Sequence, residues 1–144
     1  MPYAHETLCL ATGILLGMLY YRQTGRACGG IITPGVAALY IHDPVALGVS
    51  LAAGIATALL LEGLVRFSGV YGRQRLAAAL LIALALRYPL VSFGADASLW
   101  LGWVVPGLVG ADMQRQGMVD TLAAVVSVSV AAALLVHLLY GVLP

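Results

Sequence analysis

Six apolar stretches, at about 7–21, 29–41, 45–65, 76–86, 97–111 and 119–142, alternate with short polar breaks along the chain. A straight helix needs about 20 apolar residues to cross roughly 30 Å of hydrocarbon, so the third and sixth stretches are long enough by themselves. The fourth reaches that length by carrying Arg87 and Tyr88 toward Ser92, provided Arg87 snorkels or faces the protein interior. The second and fifth hold the pairs Pro34-Gly35 and Pro106-Gly107. Proline deletes a backbone donor and disfavours helical geometry in the residue before it, so both stretches are expected as broken helices. The pattern predicts an all-α, polytopic helical membrane protein.

The two interrupted stretches align at a fixed offset. Gly30-Ile31-Ile32-Thr33-Pro34-Gly35-Val36 matches Gly102-Trp103-Val104-Val105-Pro106-Gly107-Leu108. The chain therefore reads as a twofold repeat within a single integral membrane domain spanning 1–144. Each half, about 1–68 and 76–144, is a helix, a short Pro-Gly segment and a long helix, joined by the Arg-rich stretch 66–75.

Basic residues stay preferentially on the cytoplasmic side of a membrane. With six crossings, the loops holding Arg22 and Arg26, Arg66 to Arg75, and Arg115 share one face, and Asp43 and Asp96 lie on the other. With four crossings and two re-entrant Pro-Gly segments, the arginines fall on both faces. Six crossings obey the rule better, make the halves inverted repeats, and put both termini outside. Small-residue rows supply packing seams that let helix backbones approach closely: Gly13 and Gly17, then Gly48, Ala52 and Ala56, then Ser129, Ala133, His137 and Gly141.

Composition strengthens the case for lipid as the solvent. Of 144 residues, 62% are hydrophobic and 9% charged, against about 45–50% and about 25% in soluble domains. A net charge of +1 gives no reason to expect a nucleic-acid partner. Every Lys/Arg position is Arg, which excludes a P-loop lysine, a Schiff-base lysine and a Ser-Lys dyad. Cys9 and Cys28 form no Cys-x-x-Cys and are read as buried small apolar residues, with no metal site indicated. Neither follows a lipid-anchor pattern, and His5 and Glu6 stand where a cleaved signal would carry positive charge, so the first apolar stretch is expected to remain.

Candidate chemistry concentrates at few positions. Irregular backbone at membrane depth must be buried in protein or line a cavity, so Gly30, Pro34, Gly35, Gly102, Pro106 and Gly107 mark either structural kinks or the walls of a path for an anionic ligand. Arg22, Arg66, Arg73 and Arg75 sit at segment ends, as topology anchors or as a docking face for an acidic or phosphate-bearing partner. Glu62 and Arg66 stand at pairing distance on one helix face. Arg87, inside or at the edge of an apolar stretch, and Arg115 are the candidate path-lining charges. Asp112, Arg115 and Asp120 read by default as solvated loop residues. His137 reads as a neutral imidazole bonded to a neighbouring helix, since no second His or carboxylate stands at helical spacing from it. Ser127 and Ser129 have no His-Asp partners, so a hydrolase centre is unsupported and no catalytic residue is assigned.

Five motifs in order carry a resemblance: Tyr21-Arg22-Gln23-Thr24-Gly25, Gly29-Gly30-Ile31-Ile32-Thr33-Pro34-Gly35, Tyr71-Gly72-Arg73-Gln74-Arg75, Val104-Val105-Pro106-Gly107-Leu108 and Gln114-Arg115-Gln116-Gly117. Together they resemble the PgsC/CapC family, membrane subunits of poly-γ-glutamate synthase, over nearly the whole chain. Arg26-Ala27-Cys28, Gln74 and Ala111 depart from the pattern. The resemblance implies a bacterial plasma-membrane component working with a cytoplasmic ligase subunit and a further membrane-attached subunit to make and export poly-γ-glutamate. It places ATP and Mg²⁺ in the ligase, and no cofactor in this chain. The expected role is to anchor that ligase at the arginine-bearing face and pass the polyanion between the two Pro-Gly segments, with a homo-oligomer as one possible form. An independent small secondary transporter and a purely structural scaffold are the competing readings.

Overall fold

The computed structural model describes residues 2–92 and 104–142, and every regular element among them is helical. The helices are α1 (Pro2–Thr24), α2 (Thr33–Leu39), α3 (Pro44–Ser68), α4 (Arg73–Ser92), α5 (Val104–Gln116) and α6 (Met118–Val142). Three of them, α3, α4 and α6, are long and apolar enough to cross a membrane. Their outward faces carry exposed Leu59, Leu60, Leu81, Leu84, Leu134 and Leu138, side chains that hydrocarbon solvates without cost and water does not. The interior is built from small residues, among them Ala53, Ala58, Ala79, Ala83, Ala124 and Ala132. Such surfaces let helices associate by van der Waals contact where no hydrophobic force separates protein from lipid.

The Pro-Gly pairs do not break helices; they start them. Pro34 sits at the first or second position of α2, where a missing N–H costs nothing because first-turn donors have no intrahelical acceptor. The real interruption lies just upstream, where Gly29 (φ 76°) and Gly30 (φ 96°) occupy a left-handed region that side chains avoid. Pro106 likewise falls in the first turn of α5. Its repeat counterpart of Gly30, Gly102, lies outside the described residues, as do Asp96 and Trp103.

Contacts at both ends fix how the segments run. His5 of α1 meets Tyr140 of α6, ring centroids 5.2 Å apart, while Arg26, just past α1, pairs with Asp120 at the start of α6 at 2.7 Å. Thus α1 and α6 are antiparallel. Linker 26–32 and α2 then return along α1. Gly17 faces Cys28 and Pro34, and Gly13 packs on Gly35. Ile41 and His42 end beside His137 and Tyr140. At 1.5 Å per residue the 7 residues of α2 cover only about 10 Å. Asp43 caps the start of α3, accepting from the Ala46 N–H at 3.2 Å, and α3 runs back to the arginine-bearing end.

Each short helix is buried between a helix of its own half and a helix of the other. α2 packs on α1 and α6, and α5 packs on α4 and α3, while α1 meets α6 and α4 meets α3. Exchanging the halves maps this set of pairings onto itself. Neither half closes a core of its own: the central cluster of Val36, Ala58, Val105, Val109, Met113 and Val125 draws on α2, α3, α5 and α6 together.

Small-residue spacing alone did not locate the α3 seam. Gly48 faces open space and Ala52 is exposed; the buried face is Ala53, Gly54, Thr57, Ala58 and Leu61. A row at spacing four drifts around a 3.6-residue helix, and only the neighbour decides which row is covered. On α6, Ser129 is buried but His137 and Gly141 are exposed.

Candidate functional site

Six of the seven arginines, Arg22, Arg26, Arg66, Arg73, Arg75 and Arg115, gather at one end of the bundle, and Arg87 does not. It lies 14 residues beyond Arg73 on α4, about 21 Å along the helix axis. Arg87 and Arg115 are therefore not brought together.

At the arginine-bearing end, linker 26–32 of the first half is clamped by the α5–α6 junction of the second. The Gln116 amide oxygen accepts from the Ala27 N–H at 2.9 Å, and its NH2 donates to the Ala27 carbonyl and to Thr121 Oγ1. One side chain thus satisfies both backbone polar groups of a residue at a place where no helix supplies partners. Arg26 to Asp120 adds an exposed ion pair. Asp112 is half-buried and sits in the combined field of Arg115, the Gly29 and Gly30 amides, and Arg75. Its nearest Arg115 nitrogen is 3.8 Å away. Asp112, Arg115 and Asp120 lie on helices and not in loops; Asp112 is drawn into the helix-to-linker joint, while Arg115 and Asp120 keep much of their side chains in solvent. The partners of Asp112 and Asp120 on the linker are far away in sequence, beyond what local spacing shows.

This joint closes one side of a cleft of about 690 Å³. Its floor is Gly17, Cys28 and Gly30, its apolar wall runs along Leu15, Met18, Leu19 and Ile31, and Arg22, Asp112 and Arg115 stand at its polar end. The structure thus joins Gly30, Arg22 and Arg115 in one place. Pro34, Gly35, Pro106 and Gly107 line no part of it. Pro34 and Pro106 are fully buried. A Cβ on Gly35 would lie 2.9 Å from the Leu10 Cα, and one on Gly107 would lie 2.9 Å from Leu80 Cδ2. These residues are packing surfaces. The space between the two Pro-Gly segments is filled: Gly29 abuts Val109 and Gly30 abuts Leu108, so the expected path between them is closed within one chain.

Of the partner-docking candidates, Arg66 pairs with Glu62 at 2.7 Å on the exposed end of α3, and Arg73 is exposed at the start of α4. Arg75 has a buried guanidinium nitrogen, and Gln114 a buried amide oxygen, without a hydrogen-bond partner among the described residues. Buried hydroxyls offer no such free valence. Thr12, Thr33, Thr57, Thr121 and Ser129 each donate to the carbonyl four residues earlier in the chain. Ser129 is therefore spent on its own helix and is not set up as a nucleophile. Among the described residues no group of His, Cys, Asp and Glu is placed to hold a metal ion. Both cysteines are buried and free.

Comparison with known proteins gives a consistent result. The model of the capsule biosynthesis CapC family matches residues 12–122. The capsule biosynthesis protein CapC of Bacillus anthracis is 30% identical over 140 residues, covering 92% of this chain and 94% of that protein. The PGA biosynthesis protein CapC of Bacillus subtilis (strain 168) is 30% identical over 129 residues, covering 85% of this chain and 87% of that one. No solved structure matches.

Proposed function

The chain belongs to the CapC family of capsule biosynthesis proteins, and from that premise we propose that it is the membrane subunit of a poly-γ-glutamate synthase, docking the ligase at its arginine-bearing end and admitting the polymer there. The observation that carries this reading is the gathering of six arginines at one end of a bundle whose long helices expose leucines along their sides. The positive-inside rule assigns that end to the cytoplasm, where an ATP-using ligase works. ATP and Mg²⁺ belong to that partner, since this chain has neither lysine nor a phosphate-binding loop.

The arginines divide into two sets. Arg66, Arg73 and Arg75 surround the α3–α4 joint and form the docking face, with the exposed Arg66 and Arg73 as its accessible donors. Arg22 and Arg115 line the cleft and meet the carboxylates of the nascent chain. A bare carboxylate in the centre of hydrocarbon costs roughly 2.5–3.5 kcal/mol on insertion scales, so a polyanion needs a lined route. The filled core favours a route completed by a second subunit seated against the cleft, either the other membrane-attached component or another copy of this chain.

Separate readouts test the two sets. In cells carrying the complete synthase, Arg66→Gln with Arg73→Gln and Arg75→Gln is expected to reduce co-purification of the ligase. Arg22→Gln with Arg115→Gln is expected to keep the ligase bound and lower exported polymer. Folded protein with unchanged ligase recovery in the first variant removes the docking face; unchanged export in the second removes the cleft.

A further inference from the structure

The chain has three histidines, and the fold brings all of them to one cleft at the end away from the arginine cluster. His5 comes from α1, His42 from the turn before α3, and His137 from α6. The cleft holds about 590 Å³, with Cys9, Ala38, Ile41, Ala133 and Tyr140 among its other walls. All three histidines are exposed. The His5 ring lies 5.2 Å from that of Tyr140, and its Nδ1 lies 3.8 Å from Cys9 Sγ.

Among the described residues the lining includes no Asp or Glu. Glu6, next to His5 on α1, is exposed and not part of it. Asp43, beside His42, has its carboxylate on the Ala46 N–H. From α6 the lining contributes no titratable group besides His137 and Tyr140, and from α1 none besides His5 and Cys9. Imidazoles converging from three elements, with no acidic residue among the described lining, form a cluster of N–H donors open to an external carboxylate.

We propose that this cleft is a carboxylate-binding site that takes up the γ-glutamyl chain on the far side of the membrane. The proposal rests on the reading of this chain as a polymer-exporting subunit.

The test uses purified full-length protein in detergent micelles and a fluorescently labelled γ-linked glutamate oligomer. Wild type is expected to bind the oligomer, and His5→Gln with His42→Gln and His137→Gln to weaken that binding about tenfold. On wild type, chemical modification of the three histidines by diethyl pyrocarbonate is expected to slow when the oligomer is present, a readout that needs no variant to fold. Binding with no loss in the triple variant and no protection would overturn the histidine site while leaving the polymer reading intact. No binding by wild type would overturn both.

Discussion

Replacing Gly13 with alanine tests the packing argument most directly. The added Cβ would lie 2.3 Å from both the Cα and the N of Gly35, and 3.0 Å from the Pro34 carbonyl carbon. Carbon atoms in contact rest about 3.5–4.0 Å apart, so α1 and α2 must separate by more than about 1 Å. What blocks the methyl is backbone, which cannot step aside as a rotamer can. Overpacking typically costs about 1–3 kcal/mol, and a backbone obstacle puts Gly13→Ala at the upper end. At roughly 2–4 °C per kcal/mol for chains of this size, the midpoint should fall by about 6–12 °C. Gly48→Ala is the matched control, because a Cβ there meets nothing within 4 Å. Removing a helix-interior glycine is worth roughly 0.5–1 kcal/mol, so that midpoint should hold or rise. Heating purified protein in micelles and measuring the fraction that stays monodisperse reads both. Equal midpoints for Gly13→Ala and wild type, or a loss in Gly48→Ala as large, would refute the assigned seam.

Two further substitutions probe the joint between the halves. Gln116→Ala strands the N–H and C=O of Ala27 together and should cost about 1–3 kcal/mol in the same melting assay, with Gln116→Glu recovering only the bond from the Ala27 N–H. Arg26→Gln removes a pair whose side chains are 53% and 42% exposed, so it should cost under about 1 kcal/mol, and the difference from wild type should shrink further when salt is raised.

Local chemistry in the sequence determined the class of fold and the order of its parts. Apolar stretch lengths give the long helices, because hydrocarbon thickness sets a minimum run that composition alone can meet or miss. Arginine placement groups the polar ends, and the offset match of the two Pro-Gly motifs marks corresponding segments. Glu62 and Arg66 are also legible, since a helix puts residues four apart side by side. Where the backbone breaks is a different matter. Proline looked like the breaker, yet Gly29 and Gly30 take that role, and proline opens the helix that follows. Both arrangements satisfy the same residues, and only the positions of neighbouring segments choose between them.

The sites depend on tertiary contact altogether. Gln116 finds Ala27, Asp112 finds the Gly29-Gly30 turn, and His5, His42 and His137 share a cleft, although no spacing along one helix connects any of these. A periodic pattern shows which residues share a face of one element. It holds nothing about which face of another element will cover them, because that is set by how closely two backbones can approach, and Gly13 against Gly35 is where this fold sets it.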